Sequence, residues 1–200
     1  MNIELGNNLP EWRSHLASAL HRNRAKHYSR YFQLATVSPE GLPKNRTVVF
    51  RGFLKYSNQI QIITDSRSEK VAQIAQQPKG EICWYFTKTK EQFRISGSLL
   101  VIDAHNSNPT LMDARQAMWQ KISDNARSQF DWPTPGAPRT DDLTLFDSVI
   151  NSATEPVDNF CLLLFNPETV DHLQLRTEPQ NRCLHQLQDN GDWSIQVINP

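Results

Sequence analysis

Phe32-Gln33-Leu34-Ala35-Thr36-Val37 alternates apolar and polar side chains, the two-residue period of a half-buried strand. Pro39-Glu40-Gly41-Leu42-Pro43 then supplies the residues of a turn. Thr47-Val48-Val49-Phe50-Arg51-Gly52-Phe53-Leu54 follows, dense in β-formers. A second turn at Ser57-Asn58 leads into Gln59-Ile60-Gln61-Ile62-Ile63-Thr64, and residues 81–86 and 92–102 continue the series. Many short strands joined by tight turns predict an antiparallel barrel.

The rest of the chain is arranged around that series. Pro10-Glu11-Trp12 reads as a helix start, with Asn8 or Leu9 near the cap. Trp12, Leu16, Ala19 and Leu20 recur at helical spacing, and the helix is predicted to end near His27. A second helix carries Val71, Ile74 and Ala75 on its apolar stripe and stops at Pro78. Its start, Ser66-Arg67-Ser68-Glu69, has the form of a capping box. Residues 108–130 are helical in pattern, and Trp132-Pro133-Thr134-Pro135-Gly136-Ala137-Pro138 is a stiff, irregular loop. Strand-like segments resume at 160–165, 170–175 and 193–198. These can close the same barrel, so the chain reads as one domain spanning residues 1–200.

Composition removes several function classes. The 200 residues carry 21 basic and 21 acidic side chains. That balance argues against a general nucleic-acid or membrane-surface binder. No apolar run approaches the roughly 20 residues of a spanning helix. The N-terminus lacks a basic stretch followed by an apolar one, which points to a cytoplasmic protein. The three cysteines, Cys83, Cys161 and Cys183, make neither a zinc motif nor a disulfide framework. The six histidines show no metal-binding spacing, and the seven glycines form no phosphate loop. No metal is expected, and a hydrolase or P-loop enzyme is poorly supported.

Three constellations could carry chemistry. Thr64-Asp65-Ser66-Arg67-Ser68-Glu69-Lys70 joins a strand end to a helix start, where free N–H groups and partial positive charge favour an anion. The hydroxyls of Thr64, Ser66 and Ser68, with Arg67 and Lys70, would complete a phosphate site. Ordinary helix capping with two solvent-exposed bases explains the same residues equally well. In Arg46-Thr47-Val48-Val49-Phe50-Arg51, two arginines five apart on one strand point to opposite faces. One could reach a phosphate and the other a pocket; a barrel strand with charged ends is the plainer reading. Gln92, in Glu91-Gln92-Phe93-Arg94, could offer its amide to a ring edge or simply face solvent.

Taken in order, these pieces resemble the pyridoxamine 5'-phosphate oxidase family of flavin mononucleotide (FMN)-binding proteins, from about Trp12 to Pro200. That family has an Arg-x-Val-Leu-Leu-Lys strand, matched by residues 46–51. It has a Thr-Asn-x-x-Ser-Arg-Lys helix start, matched by residues 64–70. Its Arg-Gln-Val-Arg-Val-x-Gly is matched by residues 91–97, and its closing Asn-Arg pair, Trp and Pro by Asn181-Arg182, Trp193 and Pro200. The resemblance implies a mainly β fold with helices (α+β): the FMN-binding split β-barrel, an antiparallel Greek-key barrel with flanking helices. It implies a homodimer with FMN at the subunit interface. It assigns FMN contacts to Arg46, Thr47, Val48, Val49, Arg51, Ile63, Thr64, Ser68, Lys70 and Gln92. It also implies that Gln129, in Ala126-Arg127-Ser128-Gln129, reaches the flavin from the partner subunit. The form of the helix start is closest to a cyanobacterial and plant branch.

The departures are as informative. Glu69 stands where the family has Arg, so Glu69 is expected to turn back onto the helix and Arg67 to supply the missing charge. The family's substrate-pocket Tyr, Arg and Ser correspond to the region of Met112, Gln116 and Gln120, with Arg115 nearby. Its Arg-Leu-His-Asp-Arg signature is reduced to Arg182-Cys183-Leu184-His185-Gln186, and Leu173 stands in place of a flavin-facing Trp. The flavin half of the site is kept and the pyridoxamine phosphate half largely is not, which disfavours pyridoxamine phosphate oxidation itself. The expected activity is therefore a flavin-dependent oxidoreduction of a small substrate. Arg51 and Arg182 are the residues to grip an anionic one. A non-catalytic flavin-binding or flavin-sensing module, a dimeric scaffold without flavin, and a deazaflavin in place of FMN are the alternatives.

Overall fold

A computed structural model describes residues 9–147 and 152–200. Eight strands form one antiparallel sheet: β1 (Tyr31–Val37), β2 (Pro43–Val49), β3 (Ile60–Asp65), β4 (Lys79–Phe86), β5 (Glu91–Ile102), β6 (Phe160–Gln174), β7 (Asn181–Leu187) and β8 (Trp193–Ile198). They are ordered β2-β1-β4-β5-β6-β7-β8, and β3 pairs with β6. With four α-helices, this is the expected split barrel of the α+β class.

The long β5–β6 pair is the spine of the fold. The first half of β6 pairs with β3, from Phe160↔Asp65 to Phe165↔Ile60. The second half pairs with β7, from Thr169↔Gln186 to Gln174↔Asn181. The sheet splits between those two partners. There the β5–β6 register slips between Ser96 and Gly97. A Cβ on Gly97 would lie 2.0 Å from the Asn166 carbonyl oxygen, so only glycine allows this crossing.

Residues 160–165 read as a buried apolar run because both faces of β6 are covered. Leu163 and Phe165 point into the main core with Phe32, Leu34, Ile62, Trp84 and Phe93. Phe160, Leu162 and Leu164 point the other way, onto Met118 and Trp119 of helix α3 (Pro109–Lys121). Helix α1 (Glu11–Asn23) buries Trp12, Leu16, Ala19 and Asn23. It stops short of His27, at Asn23, whose side chain is held by its own helix and the β4–β5 turn. Its Nδ2 donates to the Ala19 carbonyl (2.8 Å) and Thr89 Oγ1 (3.1 Å), and its Oδ1 accepts from Lys88 N (3.0 Å).

Four other expectations shift. The 108–130 helix is two, because Ser123 caps a new helix, α4 (Asp124–Ser128), by accepting from Ala126 N. The segments at 160–165 and 170–175 are one continuous strand. Strand β7 is added, its polar sequence Asn-Arg-Cys-Leu-His-Gln-Leu giving little strand signal. The capping box at Ser66 does not form, since helix α2 (Glu69–Gln76) begins after Ser68 and Glu69 is exposed.

Candidate functional site

Strand β2 ends at Val49, and the backbone turns at Phe50 and Arg51. The Arg51 N–H bonds to the Gln61 carbonyl at 2.9 Å, carrying the chain across to β3. Arg46 and Arg51 therefore do not diverge to opposite faces as a continuous strand would require. Both line one cavity of about 600 Å³. Its walls are β2, the end of β3, the start of α2, residues 126–130, and the 132–146 segment.

The polar centre of the cavity is built by short-range geometry. Lys70 Nζ donates to Thr64 Oγ1 (3.1 Å) and Ser68 Oγ (3.0 Å). Ser68 Oγ donates to the Asp65 carbonyl at 2.7 Å. Arg46 Nη1 reaches Thr36 Oγ1 (2.6 Å) and the Leu34 carbonyl (3.2 Å), and Nη2 reaches Gln73 Oε1 (3.0 Å). Among the described residues, neither Lys70 nor Arg46 has a carboxylate at ion-pair distance. Burial, and then the positive charge of Arg46, push the Lys70 ammonium below its ordinary value. Burial likewise lowers the Arg46 and Arg51 guanidinium groups. Among the described residues the one acid lining the cavity is Asp65, whose carboxylate is bonded to Arg67, so the desolvated Lys70 and Arg46 are arranged to receive an anion.

Nine of the anticipated residues line this cavity: Arg46, Thr47, Val48, Val49, Arg51, Ile63, Thr64, Lys70 and Gln129. Ser68 stands behind them, bonded to Lys70. Arg67 is not among the lining residues: its guanidinium contacts Asp65 (Nε to Oδ1 3.0 Å, Nη2 to Oδ2 2.7 Å) and the Phe130 carbonyl. Gln129, expected to reach the flavin from the partner subunit, lines this cavity on its own chain.

Gln92 and Arg182 lie elsewhere. Gln92 is opposite Leu173 in the β5–β6 register, and Leu173 is opposite Arg182 in β6–β7, so the three form one row across the sheet. Arg182 is held by Asp171 (Nε to Oδ1 3.0 Å, Nη2 to Oδ2 2.7 Å), which Arg94 also contacts. The region expected to replace the substrate pocket is structural. Arg115 is buried and donates to the Phe160 and Val157 carbonyls, while Gln116 and Gln120 donate to the Thr154 carbonyl.

Sequence reasoning missed the 132–146 wall. Trp132, Pro133, Pro135, Pro138, Arg139 and Phe146 line the cavity, and the Trp132 and Phe146 rings meet at 5.5 Å. The proline spacing marked this stretch as rigid, but nothing local said what it would face.

Residues 9–103 match the model of the pyridoxamine 5'-phosphate oxidase FMN-binding domain. The chain is 38% identical over 198 residues to pyridoxine/pyridoxamine 5'-phosphate oxidase 2 of Arabidopsis thaliana, covering 98% of this chain and all of that protein. It belongs to the FMN-binding pyridoxamine 5'-phosphate oxidase family. A crystal structure of a pyridoxamine 5'-phosphate oxidase-related FMN-binding protein from Nostoc punctiforme superimposes with a TM-score of 0.94 at 55% identity, covering 96% of this chain and all of that one. PhzG from Burkholderia lata, crystallised with tetrahydrophenazine-1-carboxylic acid, shares the fold at 15% identity and a TM-score of 0.78, covering all of this chain and 98% of that one. The oxidase-family cofactor suits this donor set. FMN carries a phosphate, and the cavity offers two cations with no carboxylate at ion-pair distance among the described residues, beside the Thr64 and Ser68 hydroxyls.

Proposed function

We propose that this chain is an FMN-dependent oxidoreductase acting on a small anionic substrate, and that it works as a homodimer. The observation that carries this reading is the pairing of Arg46 and Lys70 at one cavity with no carboxylate bound to either. Lys70, Thr64, Ser68 and Arg46 would hold the phosphate, and Thr47 to Val49 would present backbone along the cofactor. When bound, FMN supplies the electron-transfer chemistry, and the protein binds and orients it. Arg51 lies in the same cavity, and its buried Nε makes no hydrogen bond among the described residues, so it is the group to hold a substrate carboxylate or phosphate. Arg182 is less suited to that role because Asp171 already occupies its fork. The row Gln92–Leu173–Arg182 is separate from the cavity on its own chain, and a second copy would bring it to the flavin.

The loss of a substrate-facing Tyr, Arg and Ser favours a second reading, a flavin-binding module without turnover. An absorption spectrum of the purified protein, with added FMN and then NADPH, separates the two. Flavin bands that bleach with NADPH support the oxidoreductase, and flavin bands that persist support the module. A protein that stays colourless and takes up no FMN overturns both.

A further inference from the structure

Residues 20–30 read Leu-His-Arg-Asn-Arg-Ala-Lys-His-Tyr-Ser-Arg, six basic or imidazole side chains without one acid, in a chain of zero formal charge. The flavin reading uses none of them. The structure folds this stretch around a second cavity of about 320 Å³, at the small end of the roughly 300–1,000 Å³ typical of ligand sites. Arg24, Lys26, Arg30, His21, His27 and Ser29 line it, and no carboxylate does. Arg22, in the same stretch, does not line the cavity and pairs with Glu91.

Part of this cavity is fixed in place. Arg24 Nη1 donates to the His21 carbonyl (2.9 Å) and to His21 Nε2 (3.0 Å), which settles the guanidinium beside the helix end. Ser29 is only 6% exposed. Its N–H bonds to the Lys26 carbonyl at 2.9 Å and its carbonyl accepts from Trp84 Nε1 at 2.9 Å. The Ser29 hydroxyl alone has no hydrogen-bond partner among the described residues. A near-buried hydroxyl left over at a cavity rimmed by cations is a donor awaiting an acceptor.

We propose that this cavity binds the diphosphate group of a small phosphorylated molecule, at a site separate from the flavin phosphate. A diphosphate fits better than a monoester. Three full cations converge here, whereas a phosphate monoester carries only about 1.5–2 negative charges. Arg24 and Arg30 would each take two oxygens, Lys26 would act as a point charge, and the Ser29 hydroxyl would donate from below. Phe50 lines this cavity while its neighbour Arg51 lines the flavin cavity, so the two sites meet at that dipeptide.

The test is a calorimetric titration of FMN-saturated protein with inorganic pyrophosphate, using sulfate at equal ionic strength as the control. Saturable binding that sulfate does not mimic is expected. Arg24→Ala with Arg30→Ala should weaken it at least tenfold and leave FMN affinity unchanged, and Ser29→Ala alone should weaken it severalfold. No saturable binding, or binding undiminished in the double variant, overturns the proposal. Should the protein take up no FMN, the flavin reading fails by its spectrum. The same titration on Lys70→Ala protein, with and without the Arg24 and Arg30 changes, then still decides this site.

Discussion

Lys70 holds two hydroxyls and no carboxylate, so its charge is stabilised least before an anion arrives. Removing it by Lys70→Ala should weaken FMN binding by about 1.5–3 kcal/mol, roughly 10- to 150-fold, as expected for one charge-assisted bond. Arg67→Ala should behave differently, because Arg67 serves Asp65. It should lower the melting temperature and leave FMN affinity nearly intact, which parallel melting and titration curves would show. Lys70 also gives a sign for pH. Its ammonium is already below the ordinary 10.5 in the empty site, and a bound phosphate favours the charged form. FMN affinity should therefore be highest at neutral pH and fall as pH rises through that lowered value; a flat profile up to pH 10.5 would contradict the assignment. At this scale the sequence was legible where motif and fold coincide, as at Thr64 and Lys70. It did not disclose the Arg67–Asp65 pair, because a contact between side chains two residues apart leaves no mark in a motif.

Helix α1 is tied to the sheet by a chain of polar contacts as well as by its apolar face. Glu91 Oε2 accepts from His172 Nε2 at 3.0 Å. His172 Nδ1 is then the acceptor for His15 Nδ1–H at 3.2 Å. His185 packs against the His15 ring and is buried with no hydrogen-bond partner for either nitrogen among the described residues. Burial lowers His15 and His185 below their ordinary 6.5, so the unfolded chain binds more protons in that window. Their contribution is present above about pH 6.5 and is lost as pH falls below it. The stability of the wild type should drop from that point, before the carboxylates titrate, and His185→Phe should flatten the drop in a melting series. Strands β5 and β6 make the second element-scale prediction. Gly97→Ala forces its Cβ into the Asn166 carbonyl and should cost about 1–3 kcal/mol or more, readable by denaturant titration. Alternation exposed most strands to sequence reading. Strand β7 escaped because its neighbours β6 and β8, rather than its own residues, make it a strand.

For the whole molecule, the anticipated flavin contacts fall into two groups on one chain. One lines the cavity; the other, Gln92 with Arg182, lies in a row across β5, β6 and β7. A shared site makes a specific prediction. Lys70→Ala and Gln92→Ala chains should each bind FMN weakly as pure proteins, while mixed dimers regain one full-affinity site per pair. Mixtures that bind no better than either parent would show that each chain holds its cofactor alone. Sequence motifs gave both groups but not their separation, because spacing along the chain carries no information about which copy of it a residue faces.

The loop wall has an optical consequence. Of the five tryptophans, Trp12, Trp84 and Trp119 are enclosed in the cores and Trp193 packs on Trp12; Trp132 alone borders the cavity proposed for the flavin. Its indole would lie within energy-transfer range of any isoalloxazine held there, and its emission would dim as the cavity fills. A flavin in that cavity would thus be reported by the protein's own fluorescence, and Trp132→Phe gives the blank against which to read the Trp132 share.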